Sequence, residues 1–412
     1  MGKVTSLQPI LRFSGFNGDW SKKWLGSVCS IGDVDHWMPQ TVSEGIPYLM
    51  TGDFVGINEL DFANAKLISE TDYGRLSRKI KPEYGDILFA RYASVGAVRY
   101  VNTHHKFQIS YSCAILKKPR NYDSQFLFYN IQSPEFQKKV ELEINTGSQR
   151  NIGIDSLKKI EVFFPNNTVE QTQIGDFFQS LDQQIKLHQE KHNKLQQLKQ
   201  AMLGKMFPKT GTNLPEVRFA GFSGNWVSKT LGIDVATVIG GGTPNTMDNR
   251  YWNGDIDWYS PTEIGFSPFA YSSVKKITRL GLKNSSAKIL PKDKTILFTS
   301  RAGIGDMAIL KNEATTNQGF QSLVLNEGYD TYFIYSMGHL IKDYALQNAS
   351  GSTFLEISGK TLGKMKVKIP SLTEQTKIGQ YFQNLDNLIA LQQQKINKLK
   401  NIKQACLGKM FV

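Results

Sequence analysis

The chain is poor in cysteine. Cys29, Cys113 and Cys406 are the only three among 412 residues. They lie far apart and are odd in number, so they offer neither a disulfide framework nor a metal-ligand spacing; a reduced, cytoplasmic setting is expected. Long apolar runs are missing too. No stretch approaches the roughly 18–20 residues that span a bilayer, so no membrane partner is expected. The opening MGKVTSLQPI lacks the apolar core of a secretory signal. Gly2 and Ser6 match only a short myristoylation pattern that arises often by chance. Acidic residues are in deficit: 36 Asp and Glu face 49 Lys and Arg, a net charge of +13. That excess suits a polyanionic partner, nucleic acid being the commonest.

Signatures of catalysis are also lacking. There is no G-x-S-x-G elbow, no Asn-Pro-Pro-Tyr or Asp-Pro-Pro-Tyr motif of amino-methyltransferases, and no Gly-rich loop fit for S-adenosylmethionine. Ser358-Gly359-Lys360-Thr361 mimics the end of a phosphate loop, but Phe354 stands where the motif needs Gly. Gly240-Gly241-Gly242-Thr243-Pro244 lacks dinucleotide-loop spacing. His188 and His192 stand one helical turn apart without the Glu of H-E-x-x-H and read as packing residues, not zinc ligands. Asp257, Glu263 and Asp293 read as surface or turn carboxylates. The chain is expected to read, not to catalyse, and to hold no metal or cofactor of its own.

What is present is repetition. Residues 9–26 (PILRFSGFNGDWSKKWLG) and 215–232 (PEVRFAGFSGNWVSKTLG) share ten of eighteen positions, including Trp20 and Trp226. Residues 170–207 and 374–411 share twenty-four of thirty-eight without a gap. The chain is two copies of one unit of about 200 residues. Between these blocks the copies diverge: residues 82–101 only loosely resemble 291–310, and 147–165 only loosely resemble 351–370. One scaffold with two different faces suggests one task performed on two targets.

Short apolar runs such as Ile87-Leu88-Phe89, Ile296-Leu297-Phe298 and Val162-Phe163-Phe164 predict strands. Residues 126–140 and 332–345 predict helices. Each variable part is therefore expected to be a mixed α/β domain, over 1–164 and 209–369. The conserved tails, 165–208 and 370–412, predict long helices starting near Thr168 and Thr373. Their apolar stripe runs through Ile174, Phe178, Leu181, Ile185, Leu195, Leu198 and Met202, and again through Ile378, Phe382, Leu385, Ile389, Ile396, Leu399, Ile402 and Cys406. The spacing is heptad-like, so pairing of the tails as a coiled-coil-like helix pair is expected, the polar interruptions His188, His192 and Gln392 setting register.

This layout resembles the specificity subunit of type I restriction-modification enzymes. The most specific elements are the E-Q-x-x-I-x-x-x-F-x-x-L-D blocks at Glu170 to Asp182 and Glu374 to Asp386. Gly241-Gly242-Thr243-Pro244 followed by Tyr251-Trp252-Asn253-Gly254-Asp255-Ile256 looks like the opening of a target-recognition domain. The first copy departs there, reading Ser30-Ile31-Gly32-Asp33. Asn317-Gln318 has a family look as well, where the first copy has Phe107-Gln108.

The resemblance implies two target-recognition domains with approximate two-fold symmetry, each reading half of a bipartite double-stranded DNA target in the major groove. Two antiparallel helices would act as the ruler between them. Two methyltransferase subunits would dock on the outer helix faces, and motor-nuclease restriction subunits would join for cleavage. S-adenosylmethionine, ATP and magnesium would sit on those partners. The competing readings are a self-sufficient DNA enzyme and a coiled-coil adaptor without DNA readout.

Contacts to phosphates and bases favour Arg, Lys, Asn, Gln and small polar residues in loops. The candidates in the first copy are Arg91, Tyr92, Ser94 and Arg99, with Asn145, Ser148, Gln149 and Arg150. In the second they are Ser300, Arg301 and Gly303, with Ser350, Ser352 and Thr353, and the basic cluster Lys275, Lys276 and Arg279. Trp20 and Trp226 recur in the scaffold and are expected in the core.

Overall fold

A computed structural model describes residues 7–147, 149–301, 303–351 and 355–412. Gly2, Ser6, Ser148, Ser352, Thr353 and Phe354 lie outside the described residues. Two compact units divide the chain: residues 1–190 with 393–412, and residues 191–392. The boundaries do not follow the copies. The end of each conserved tail leaves its own copy and completes the other unit.

In the first unit a four-stranded antiparallel sheet orders Ile31–Gly32, Cys113–Leu116, Ile87–Ala90 and Val98–Tyr100. Its two middle strands are buried along their whole length, as a run of apolar residues without alternation requires. A three-stranded sheet places Ile46–Leu49 between Lys66–Ile68 and a parallel Gln108–Ile109. A separate ribbon pairs Ser21–Trp24 with Glu161–Phe164.

The second unit repeats this plan with longer strands. Five strands run in the order Ala236–Gly240, Gln321–Leu325, Thr295–Phe298, Met307–Leu310 and Phe269–Ala270. Trp252–Tyr259 lies between Lys275–Ile277 and a parallel Ala314–Thr316. Val227–Thr230 pairs with Lys366–Ile369, the counterpart of the first ribbon.

The predicted helices at 126–140 and 332–345 are each split. Ser133 turns extended and caps a new helix that begins with Pro134, giving Ser124–Gln132 and Pro134–Leu142. Proline lacks the N–H that a continuous helix would use. Met337 makes the corresponding break between Thr331–Ser336 and Gly338–Asn348.

The tails are continuous helices, Thr168–Lys205 and Leu372–Leu407, about 57 and 54 Å long at 1.5 Å per residue. Their caps lie just before the expected threonines. Asn167 Oδ1 accepts the Val169 N–H at 2.9 Å, and Ser371 Oγ accepts the Glu374 N–H at 3.4 Å. Thr373 sits inside its helix.

Within each unit the start of one helix runs antiparallel to the end of the other. In the first, Phe178 stacks on Phe411 and Asp182 meets Lys403. In the second, Phe382 stacks on Phe207 and Asp386 meets Lys199. Ile174, Phe178, Leu181 and Ile185 are buried, as are Ile378, Phe382 and Leu385. Leu195 and Leu399 are half-buried against the core of the opposite unit from their helix's start. Ile389 is half-buried.

The stripe departs from the expected course near its end. Leu198 and Ile402 are 44% and 37% exposed, and Lys199 and Lys403 turn inward instead. A helix advances 3.6 residues per turn, so a stripe that follows Leu195 by four residues arrives at Lys199, not Leu198. The buried ends are Met206-Phe207 and Met410-Phe411, which close the two main cores. Trp20 packs edge-on against Phe126 and Phe411, with centroids at 5.5 and 6.4 Å. Trp226 does the same with Phe333 and Phe207, at 5.7 and 6.2 Å.

Candidate nucleic-acid interface

The scaffold around the candidate loops is duplicated contact by contact. Arg12 forks onto Glu170, with Nε–Oε1 at 2.7 Å and Nη2–Oε2 at 2.8 Å, while donating to the Gly18 and Asn17 carbonyls. Arg218 forks onto Glu374 at 2.7 Å twice, and donates to the carbonyls of Gly224 and Ser223. Both glutamates are 1% exposed. Gln171 Oε1 accepts the Asp123 N–H at 2.9 Å, and Gln375 Oε1 accepts that of Asp330 at 3.1 Å. The two aspartates in turn cap the helices Ser124–Gln132 and Thr331–Ser336. Arginine's planar fork matches a carboxylate with two parallel bonds, which fixes the loop at 12–18 to the first turn of the long helix.

On this frame the chain brings together loops that are far apart in sequence. In the first unit the loop after Ile87–Ala90 lies beside Asn151 and Ile152: Ile152 donates its N–H to the Arg91 carbonyl at 3.1 Å, and Tyr92 bridges to Asn151. In the second, Ile357 donates to the Ser300 carbonyl at 3.0 Å, and Ser350 bridges to Glu356. Arg91, Tyr92 and Asn145 are thus joined in one rim through Asn151 and Ile152, and Ser300 and Ser350 in another through Glu356 and Ile357. Lys275 and Lys276 belong instead to the strand Lys275–Ile277, and Arg279 opens a short helix after it.

Within the rims the side chains are not equivalent. Arg91 is 5% exposed; its guanidinium is ion-paired with Asp33 and donates to the Ile152 carbonyl at 3.0 Å. Burial alone would raise the Asp33 pKa, but hydrogen bonds from Lys79 and His36 and the charge of Arg91 hold it below the ordinary carboxylate value. Arg99 donates to the carbonyls of Glu59, Val98, Val55 and Gly56, tying down the hairpin of Phe54–Val55 and Glu59–Leu60. Burial lowers its pKa against the raising effect of Glu59. Both arginines are thus committed within the unit. Ser300 is fully buried and its hydroxyl has no partner among the described residues.

Other candidates face outward. Ser94, Asn145, Gln149, Arg150, Lys275 and Arg279 are exposed, and Tyr92 is half-buried. Arg150 pairs with exposed Glu141. Arg301 lies 3.9 Å from Glu356. Lys275 sits over the Trp252 ring at 5.9 Å. Gly303 adopts φ 109°, a left-handed conformation that favours glycine, in the tight return between Thr295–Phe298 and Met307–Leu310.

Asp257 departs from its expected surface position. It is 7% exposed and accepts from Ser272, from the N–H and hydroxyl of Ser273, and from Lys276 at 3.0 Å. Burial would raise its pKa; these hydrogen bonds outweigh that and lower it. Lys276 is therefore partly committed. Glu263 and Asp293 do serve turns: Glu263 caps Pro261–Glu263, and Asp293 has φ 60° and pairs with Lys311.

Sequence reasoning missed Asp33, the partner of Arg91, and the inward turn of Lys199 and Lys403. A signal for the second was available. Asp182 and Asp386, like Lys199 and Lys403, are identical residues at an offset of 204, each with apolar stripe residues three or four positions away.

Comparison with known proteins agrees with this architecture. The chain belongs to the type I restriction modification DNA specificity domain family, which matches it twice, over residues 17–197 and 223–401. The specificity subunit of the type I restriction enzyme MjaIX of Methanocaldococcus jannaschii is 36% identical over 183 residues, 43% of this chain and 42% of that protein. That of a type I restriction enzyme of Escherichia coli is 31% identical over 167 residues, 39% and 41% of the two chains. The matched stretch thus spans less than half the length of either relative. The type I restriction-modification S subunit of M. genitalium shares the fold: TM-score 0.65, 18% identity, covering 98% of this chain and 99% of that one. Among the described residues no helix is long and apolar enough to cross a membrane.

Proposed function

We propose that this chain is the DNA-reading specificity subunit of a type I restriction-modification enzyme. Each unit reads one half of a bipartite duplex target, and the two long helices set the gap between the halves. The chain performs no catalysis alone. Two methyltransferase subunits dock on the helices and methylate adenine; restriction subunits join them for cleavage, and S-adenosylmethionine, ATP and magnesium belong to those partners.

One observation carries this reading: the frame is duplicated contact by contact while the rims it supports differ in nearly every side chain. A common frame positions; different rims discriminate. Ser94, Asn145, Gln149 and Arg150 in one copy, and Lys275, Arg279 and the half-buried Arg301 in the other, reach the surface and supply the donors and positive charge that phosphates and base edges accept. Arg91, Arg99 and Ser300 shape the rims from within.

The test is selection of random duplex DNA by the chain assembled with its methyltransferase, followed by titration against salt. Enrichment of one gapped motif is expected, with log affinity falling linearly with log salt. An adaptor would enrich nothing, and a self-sufficient enzyme would transfer methyl groups without partners.

A further inference from the structure

We infer that the Tyr129–Asp182–Lys403 cluster and its counterpart Tyr332–Asp386–Lys199 are register pins, which hold the two long helices in one alignment and so restrict the chain to one gap length between half-sites. This rests on the function proposed above.

Three elements converge in each cluster. In the first unit Lys403 Nζ lies 2.7 and 2.9 Å from the two oxygens of Asp182. The Tyr129 hydroxyl donates to Asp182 Oδ2 at 3.0 Å, and the ammonium sits 5.3 Å from the Tyr129 ring centre. In the second, Lys199 pairs with Asp386, and the Tyr332 hydroxyl donates to Asp386 Oδ2 at 2.8 Å. The aspartate comes from the start of one long helix, the lysine from the end of the other, and the tyrosine from the recognition domain. Each pin therefore fixes helix to helix and domain to helices at once.

The neighbouring residues explain why a pin is needed. One turn to either side of Lys199 stand Leu195 and Leu203; one turn to either side of Lys403 stand Leu399 and Leu407. The leucines themselves would fit almost as well after sliding by a turn, so that register rests on the aromatic stacks Phe178–Phe411 and Phe382–Phe207 and on the pin. With the lysine in place, such a slide sets a leucine against the buried carboxylate and leaves the ammonium among apolar side chains. Buried polar groups in helix seams select register in this way, at a cost in stability. These residues are positioning residues: they touch no DNA and act through the helices.

The experiment neutralises both pins together, D182N/K403M with D386N/K199M, in the full chain expressed with its methyltransferase. Asparagine keeps an acceptor for each tyrosine hydroxyl. Genome-wide methylation is then read by gap length. The wild-type chain must first give one gapped motif; if it gives none, the proposed function fails and not the pin. Given that motif, methylation at gaps one base pair longer or shorter is expected to rise on the order of tenfold, with both half-site sequences unchanged. A folded variant that keeps the single wild-type gap overturns the inference, since a merely stabilising role would not move this readout. Should the neutral variant fail to fold, the charge-exchanged chain D182K/K403D with D386K/K199D decides. Restoration of the single gap is expected, and a folded exchanged chain with spread gaps overturns the inference.

Discussion

Positions 91 and 300 occupy the same place in the two units. Each backbone N–H donates to a carbonyl of the neighbouring segment, Ser112 or Gly319, and each carbonyl accepts from an isoleucine, Ile152 or Ile357. The side chains could hardly differ more: a buried guanidinium paired with Asp33 on one side, a buried hydroxyl without a partner among the described residues on the other. Arg12 with Glu170 and Arg218 with Glu374, by contrast, agree within 0.1 Å in both fork distances. Backbone geometry and frame are kept, while the polar content of the rims is free to change. That is the division of labour expected of a scaffold that presents two different reading surfaces.

The comparison can be broken by substitution, beginning with the largest effect. Phe178→Ala and Phe382→Ala each remove a fully buried ring and should destabilise their own unit by about 3–5 kcal/mol. Because the surroundings match, the two losses in denaturant unfolding should agree within about 1 kcal/mol; a larger difference would show that the frames are not energetically equivalent. At positions 91 and 300 the outcome should be unequal. Arg91→Ala leaves the Asp33 carboxylate without its buried partner and should cost about 3 kcal/mol. Ser300→Ala removes a buried hydroxyl that has no partner among the described residues and should be neutral or slightly stabilising.

Acid should sharpen the same contrast. The folded-state pKa of Asp33 is depressed, so its contribution is fully present above the unfolded carboxylate value, near 4, and is lost as pH falls through the lower folded value. The protection of the Ile152 amide against exchange, measured relative to its intrinsic rate at each pH, should therefore fall in acid below that range. Exchange at Ile357, whose acceptor is the Ser300 carbonyl, should respond less. Equal acid sensitivity would contradict the assigned role of Asp33. The smallest effect concerns an exposed charge outside the rims, Lys275 over the Trp252 ring. Lys275→Ala should reduce the slope of log affinity against log salt by about one, leaving the unfolding midpoint nearly unchanged.

Much of this was legible in the sequence, for reasons tied to particular residues. Duplication is visible because Arg12, Trp20, Glu170 and Asp182 recur as Arg218, Trp226, Glu374 and Asp386 at nearly constant offsets. Strands such as Ile87–Ala90 and Thr295–Phe298 are buried along their whole length and show as apolar runs. The exchange of tail ends was not legible, since Phe207 and Phe411 read equally well as the close of their own copies. Nor was the commitment of Arg91. A lone arginine in a loop signals DNA or a buried carboxylate alike, and Asp33 lies 58 residues away in sequence. Leu198 and Ile402 misled because a spacing of three suits a heptad as well as a spacing of four.

The central claim, that each unit reads its own half of one gapped target, is tested most directly by methylome sequencing of cells that hold the methyltransferase with this chain, with an Arg150→Ala chain, or with neither. The account predicts one gapped motif with adenine methylated in both halves, relaxed in a single half by Arg150→Ala and absent without the chain. A continuous motif, or a gapped motif that persists when the chain is removed, would contradict it.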